Sequence, residues 1–116
     1  MKYMLLMYAK EADAPNQNPE EYKAAAQLWA AFSKEITAAG VVLSNNGLSP
    51  VANATTVRVR AGKMLTTDGP FAETHEQLGG YYLLECKDLD EAICWAARIP
   101  PAVYGSIELR PMWSPQ

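Results

Sequence analysis

Thr66-Thr67-Asp68-Gly69-Pro70-Phe71-Ala72-Glu73-Thr74-His75-Glu76-Gln77-Leu78-Gly79-Gly80 separates two strand-like runs and holds the densest group of polar and backbone-special residues in the chain. Asp68 can accept hydrogen bonds from backbone N–H groups just downstream. Gly69 can take φ > 0, and Pro70 fixes its own φ while moving Gly69 out of the helical region. Together they predict one sharp turn. Asp68, Glu73, His75 and Glu76 then bring four ionisable side chains into nine positions, and Gly79-Gly80 mark a strand starting close to other backbone. Two readings stay open: a pocket rim, or a rigid connector whose charges are solvated.

Outward from this stretch, Tyr81 to Cys86 reads as a strand with apolar side chains on both faces, Tyr81 and Tyr82 diverging to opposite sides. Thr55 to Arg60 alternates, and Ala61-Gly62 permits a hairpin into Lys63 to Thr67. Arg58 and Arg60 on one face suit either a solvated edge or a fork that orients a carboxylate. Val41 to Leu43 starts another strand that meets the turn-favouring Ser44-Asn45-Asn46-Gly47 and Ser49-Pro50, where a kink is expected. Tyr3 to Ala9 is apolar on both alternating faces, with Tyr3, Leu5, Met7 and Ala9 opposite Met4, Leu6 and Tyr8. Helices cover one face of such a sheet, so the second face calls for another partner, most simply a second subunit.

The polar connection from Glu11 ends in Asn18-Pro19 with Glu21, the signature of a capped helix start. Tyr22, Ala25, Ala26, Trp29, Phe32, Ile36 and Ala39 form one apolar stripe that Gly40 terminates. Trp29 and Phe32 fit core anchors better than a ligand box, because helix packing needs that spacing. Asp88 and Glu91 begin a second, shorter helix with Leu89, Ala92, Ile93, Ala96 and Ala97 as its stripe, which Pro100-Pro101 cannot prolong. Ser106 to Trp113 closes the chain as a strand. The order β, long α, β, hairpin, loop, β, α, β is α+β: a ferredoxin-like antiparallel sheet with two helices on one face and one additional hairpin.

The 116 residues make one domain, 49% hydrophobic with a net charge of −3, which carries no electrostatic footprint for nucleic acid. The apolar run at the N-terminus is short and alternates, which reads as a strand rather than a signal peptide. No segment approaches the roughly 20 apolar residues of a membrane span, so a cytoplasmic setting is the default. Cys86 and Cys94 lack zinc or redox spacing and read as core thiols.

Thr67-Asp68-Gly69-Pro70-Phe71-Ala72-Glu73-Thr74, with Glu76-Gln77-Leu78-Gly79-Gly80-Tyr81-Tyr82, resembles the signature of the DGPF branch of the YCII-related proteins. Ala39-Gly40-Val41-Val42, Gly47-Leu48, Asp88-Leu89-Asp90-Glu91-Ala92, Trp95-Ala96 and Ser106-Ile107-Glu108-Leu109-Arg110-Pro111 extend the resemblance over nearly the whole chain. It implies a dimeric α+β barrel with a cavity near the dimer interface. It also implies a genomic setting beside extracytoplasmic-function sigma factors, which suits a noncatalytic regulatory or interaction module as well as an enzyme. Enzymes of this kind are associated with a histidine on the first helix; the region around Leu28-Trp29 has none, and His75 departs from the residue common at its position.

His75 between Glu73 and Glu76 could titrate near neutral pH, and no His-x-x-x-His pattern suggests a metal. Asp68 suits fixing the loop more than accepting a proton. The expected ligand-binding set is Asp68, Gly69, Pro70, Phe71, Glu73, His75 and Tyr81, at the rim of an interface cavity. No cofactor is expected, and no catalytic residue is assigned. A proton-transferring lyase or isomerase and a noncatalytic binding module both remain open.

Overall fold

A computed structural model describes residues 1–15 and 17–114. Asn16, in the polar connection, and residues 115–116 of the expected single domain lie outside the described residues. Among the described residues six strands and two α-helices occur in the order β1 (Lys2–Ala9), α1 (Pro19–Ala38), β2 (Val42–Gly47), β3 (Thr55–Arg60), β4 (Lys63–Asp68), β5 (Gln77–Glu85), α2 (Leu89–Arg98) and β6 (Ser106–Pro111). The main sheet has the antiparallel order β2-β5-β1-β6, while β3 and β4 pair only with each other. This is the expected ferredoxin-like arrangement with its extra hairpin.

Both helices start where their caps place them. The Glu21 N–H donates to Asn18 Oδ1 and the Glu91 N–H to Asp88 Oδ1, each at 2.9 Å, which satisfies one of the orphan donors of a first turn. The returning bonds land one residue before each cap, from the Gln17 N–H to Glu21 and from the Lys87 N–H to Glu91.

Registered pairs assign the two faces of the sheet. Leu5 lies opposite Tyr82 and Leu109, and Tyr3 opposite Leu84; these residues face the helices and meet Phe32 and Ile36 of α1 and Ala92 and Ala96 of α2 in the core. The buried line of α2 is alanine, so the helix sits close to the sheet. Leu89 and Ile93 flank that line and remain 47% exposed. The α1 stripe is likewise narrower than its periodicity implies, since Tyr22 stays 67% exposed. On the other face, Met4 pairs with Leu83 and Arg110, and Leu6 with Tyr81 and Glu108. Among the described residues no helix covers these side chains.

The turn-favouring Ser44 to Gly47 does not end β2. The strand instead absorbs a register shift between Val42 and Ser44 and runs on to Gly47, because β5 supplies a ladder that outweighs local preference. Ala61 (φ 52°) and Gly62 (φ 76°) make the β3–β4 connection, with both central residues at φ > 0 as a two-residue type I′ hairpin requires.

Gly80 lies where β5 passes closest to its neighbours. A Cβ there would sit 2.7 Å from Met7 Cε and 2.8 Å from the Asn46 carbonyl oxygen. The methionine end can swing away, but the carbonyl belongs to the β2 ladder and cannot. Gly80→Ala should therefore destabilise the fold by about 1–3 kcal/mol, read as a lower urea midpoint with an unchanged m-value.

Candidate functional site

At one end of the sheet, the end of β1, the start of β5, the segment after β2 and the turn after α2 converge around a cavity of about 430 Å³. Met7, Trp29, Leu48, Pro101 and Tyr104 give it apolar walls, and Lys10 and Glu11 are its charged side chains. Trp29 is fixed by an edge-on contact with Phe32, at 6.2 Å between ring centroids. A smaller recess of about 270 Å³ lies beside it, walled by Val51 and by Pro70 to Thr74, and shares Tyr8, Gln77 and Leu78 with the first.

Hydrogen bonds stitch the segments around these spaces. The Glu11 N–H donates to Gln77 Oε1 at 3.0 Å, the Val51 N–H to Glu11 Oε1 at 2.8 Å, and Gln77 Nε2 to the Thr74 carbonyl at 2.8 Å. The Leu48 N–H donates to the Gly79 carbonyl at 2.8 Å, extending the β2–β5 ladder past Gly47. The acceptors of Glu11 and Gln77 are thus partly committed to holding the walls. Among the described residues the side chains of Lys10, Tyr8 and Tyr104 make no hydrogen bond or ion pair. Desolvation raises the pKa of the Tyr104 phenol, keeping it in the donor form.

The seven residues expected to bind ligand do not form one group. Pro70, Phe71 and Glu73 wall the smaller recess. Asp68 ends β4 opposite Thr55 and His75 is exposed; neither lines either cavity. Tyr81 lies on the uncovered sheet face, its hydroxyl 3.0 Å from Ser44 Oγ, and hydrogen bonds from Ser44 and Asn46 lower its pKa. Gly69 has φ 95° and makes the expected turn, but Asp68 does not secure it. The Gly69 N–H donates to the Ala54 carbonyl at 2.7 Å and Thr56 Oγ1 to the Gly69 carbonyl at 2.9 Å, while Arg58 Nη2 reaches the Phe71 carbonyl at 3.4 Å. The hairpin ladder runs through Asp68 itself, so the carboxylate stands on a strand; Thr56 and Arg58 of β3 donate to the turn, and Ala54 just before β3 accepts from it.

Lys10, Glu11, Leu48 and Tyr104 escaped sequence reasoning because they converge from distant segments and share no local motif. Cys94 corrects another expectation: it is exposed, whereas Cys86 is buried. With Ala92 and Ala96 turned to the core, a residue two positions from each lies about 200° away around the helix. Among the described residues no group of three or more His, Cys, Asp or Glu side chains is placed to hold a metal ion.

The strand order, the helices on one face and the end cavity define a ferredoxin-like α+β domain. The chain belongs to the YCII-related domain family, whose model matches residues 1–114. It is 37% identical over 114 residues to an uncharacterized protein of Rhizobium meliloti (strain 1021), a match that covers 97% of this chain and 92% of the relative.

The two thiols should separate chemically. Burial, with the Glu91 carboxylate adding to it, pushes the Cys86 thiol up to about 11. In the native protein a thiol reagent at pH 8 should modify Cys94 quickly and Cys86 only after unfolding. The raised pKa also carries a sign for stability. Well below pH 9 both states keep the thiol protonated; between about 9 and 11 the unfolded chain is ionised ahead of the native one, so stability falls with a slope approaching about 1.4 kcal/mol per pH unit. Cys86→Ala should remove that part of the slope in urea titrations.

Proposed function

We propose that this protein binds a small, largely apolar molecule carrying a carboxylate or carbonyl group, in the cavity beside Trp29 and Tyr104. The imbalance of hydrogen-bonding groups carries this reading. Lys10, Tyr8 and Tyr104 offer donors with no partner among the described residues, whereas Glu11 Oε1 and Gln77 Oε1 already accept from backbone. Lys10 is exposed and Tyr8 and Tyr104 are half-buried, and a ligand that accepts from these donors offsets the cost of taking them out of water on binding. Pro70, Phe71 and Glu73 act as the outer wall of the adjoining recess, and Gly69 sets the angle of that wall. The three candidates for proton abstraction do not converge, since Glu73 alone among Asp68, Glu73 and His75 reaches a cavity. Binding is therefore the favoured activity, in keeping with a regulatory member of the DGPF branch.

The same reading makes the protein a homodimer joined through the uncovered sheet face. Met4, Leu6 and Leu83 give that face an apolar centre. Its margins are polar and internally paired, Arg110 Nε with Glu108 at 3.1 Å on one side and Ser44 with Tyr81 at 3.0 Å on the other. An apolar centre within a satisfied polar rim is the anatomy of a protein interface.

Thermal-shift titration with aromatic and alicyclic carboxylates tests the site, because a ligand that binds only the native state raises its apparent stability. Lys10→Met and Tyr104→Phe should each weaken a hit by roughly tenfold, the loss expected for a hydrogen bond to a charged group. Asp68→Ala should leave it unchanged; the reverse pattern would move the site to the loop. Sedimentation at micromolar concentration should show a dimer for the wild type and a folded monomer for Leu6→Lys, which places a charge at the apolar centre.

A further inference from the structure

The recess beside the larger cavity differs from it in chemistry. Among the described residues Glu73 is its one charged lining residue, and Val51, Pro70, Phe71 and Leu78 supply apolar surface. The Glu73 carboxylate makes no hydrogen bond or ion pair among those residues. Arg58 reaches the Phe71 carbonyl at 3.4 Å, yet it does not line the recess and forms no ion pair with Glu73. Asp68, Glu73 and Glu76 stand against no lysine or arginine in residues 66–80, a charge of −3 with His75 neutral. A wall of one sign draws counter-charged ligands toward it.

Aromatic surface adds to charge. Phe71 is 76% exposed, and its ring packs against no other aromatic ring among the described residues. A carboxylate and an open aromatic ring lining one pocket suit a protonated amine: the carboxylate accepts from its N–H groups, and the ring face attracts its charge. Tyr8, Gln77 and Leu78 stand between this recess and the larger cavity and line both. Gln77 is fixed at both ends of its amide, Oε1 accepting from the Glu11 N–H and Nε2 donating to the Thr74 carbonyl. A wall held in this way keeps the two spaces in a constant relation.

We propose that the smaller recess is a subsite for a protonated alkylamine, with Glu73 as its counter-ion and Phe71 as its aromatic wall. Resting on the carboxylate reading of the larger cavity, the full ligand is then amphoteric. Its acid end meets Lys10 and Tyr104, and its amine end crosses Tyr8, Gln77 and Leu78 to reach Glu73. The charges are ordered to match, since Lys10 lines the larger space and not the smaller, and Glu73 the smaller and not the larger. Glu11 accepts from the Val51 N–H at 2.8 Å, and Val51 lines the recess, so this second carboxylate also lies next to the amine end.

The test titrates the full chain by calorimetry with three matched series: para-alkylbenzoates, para-(ω-aminoalkyl)benzoates of the same chain lengths, and phenylalkylamines. At one length or more the aminoalkylbenzoate should bind roughly fivefold tighter than its alkyl counterpart, the gain expected of an exposed ion pair with one exposed cation–π contact. That advantage should disappear in Glu73→Gln, shrink in Phe71→Leu and fade at high salt. Both side chains are exposed, so each variant should keep the wild-type urea midpoint. No advantage at any length, or one that survives Glu73→Gln, overturns the subsite. The phenylalkylamines separate this inference from the carboxylate reading. If they bind through Glu73 while the alkylbenzoates do not bind, the amine subsite stands and the carboxylate reading falls. If the alkylbenzoates bind through Lys10 and neither amine series depends on Glu73, the carboxylate reading stands and the subsite falls. Absence of binding in all three series overturns both.

Discussion

Phe32 is the point on which the separate elements of this fold depend. Its ring meets Trp29 of the same helix, Tyr82 of β5 and Trp95 of α2 edge-on, at centroid distances of 6.2, 5.7 and 6.3 Å. Edge-to-face packing sets the positive edge of one ring against the negative face of another and so prescribes angle as well as distance. One side chain thereby orients both helices on the sheet. Arg98 adds an outer clasp, with its guanidinium 4.8 Å from the Trp95 ring and paired with Glu35 of α1.

That orientation leaves the sheet one-sided, and the functional proposals descend from this. With α1 and α2 held on the face that carries Leu5 and Leu84, the face that carries Met4, Leu6 and Leu83 has no cover from its own chain. Trp29, half-buried beside the Phe32 contact, leaves one side of its indole to the end cavity. The core thus builds the cavity wall and exposes the second sheet face by the same packing. The hairpin forms a two-stranded sheet of its own, separate from the ladder of the main sheet.

Much of the fold was legible because its signals are local. Asn18-Pro19 and Asp88 with Glu91 marked the helix starts, Ala61-Gly62 marked the hairpin, and alternation separated Tyr81 from Tyr82. Local signals also misled where a distant partner outweighed them. Ser44 to Gly47 has turn chemistry, and the kink it predicts is the register shift between Val42 and Ser44, yet the stretch itself lies in β2 because β5 offers it a ladder. Asp68 has the chemistry of a turn-former yet stands on β4, and its expected role passed to Thr56 and Ala54, more than ten residues upstream. Cys94 shares the apolar character of Cys86, but the direction of α2 turned it outward.

By itself the sequence determined the element order, both helix caps, the two apolar faces of β1 and β5, and the sharp turn at Gly69-Pro70, since each follows from backbone preference or from periodicity within a few residues. Only the tertiary structure decided which residues surround a cavity. Lys10, Trp29, Leu48 and Tyr104 come together around one cavity from four segments, and Asp68 and His75, both within the candidate loop in sequence, do not line it. Register and helix direction decide such convergence, and they are properties of the assembled sheet that no short stretch of chain encodes.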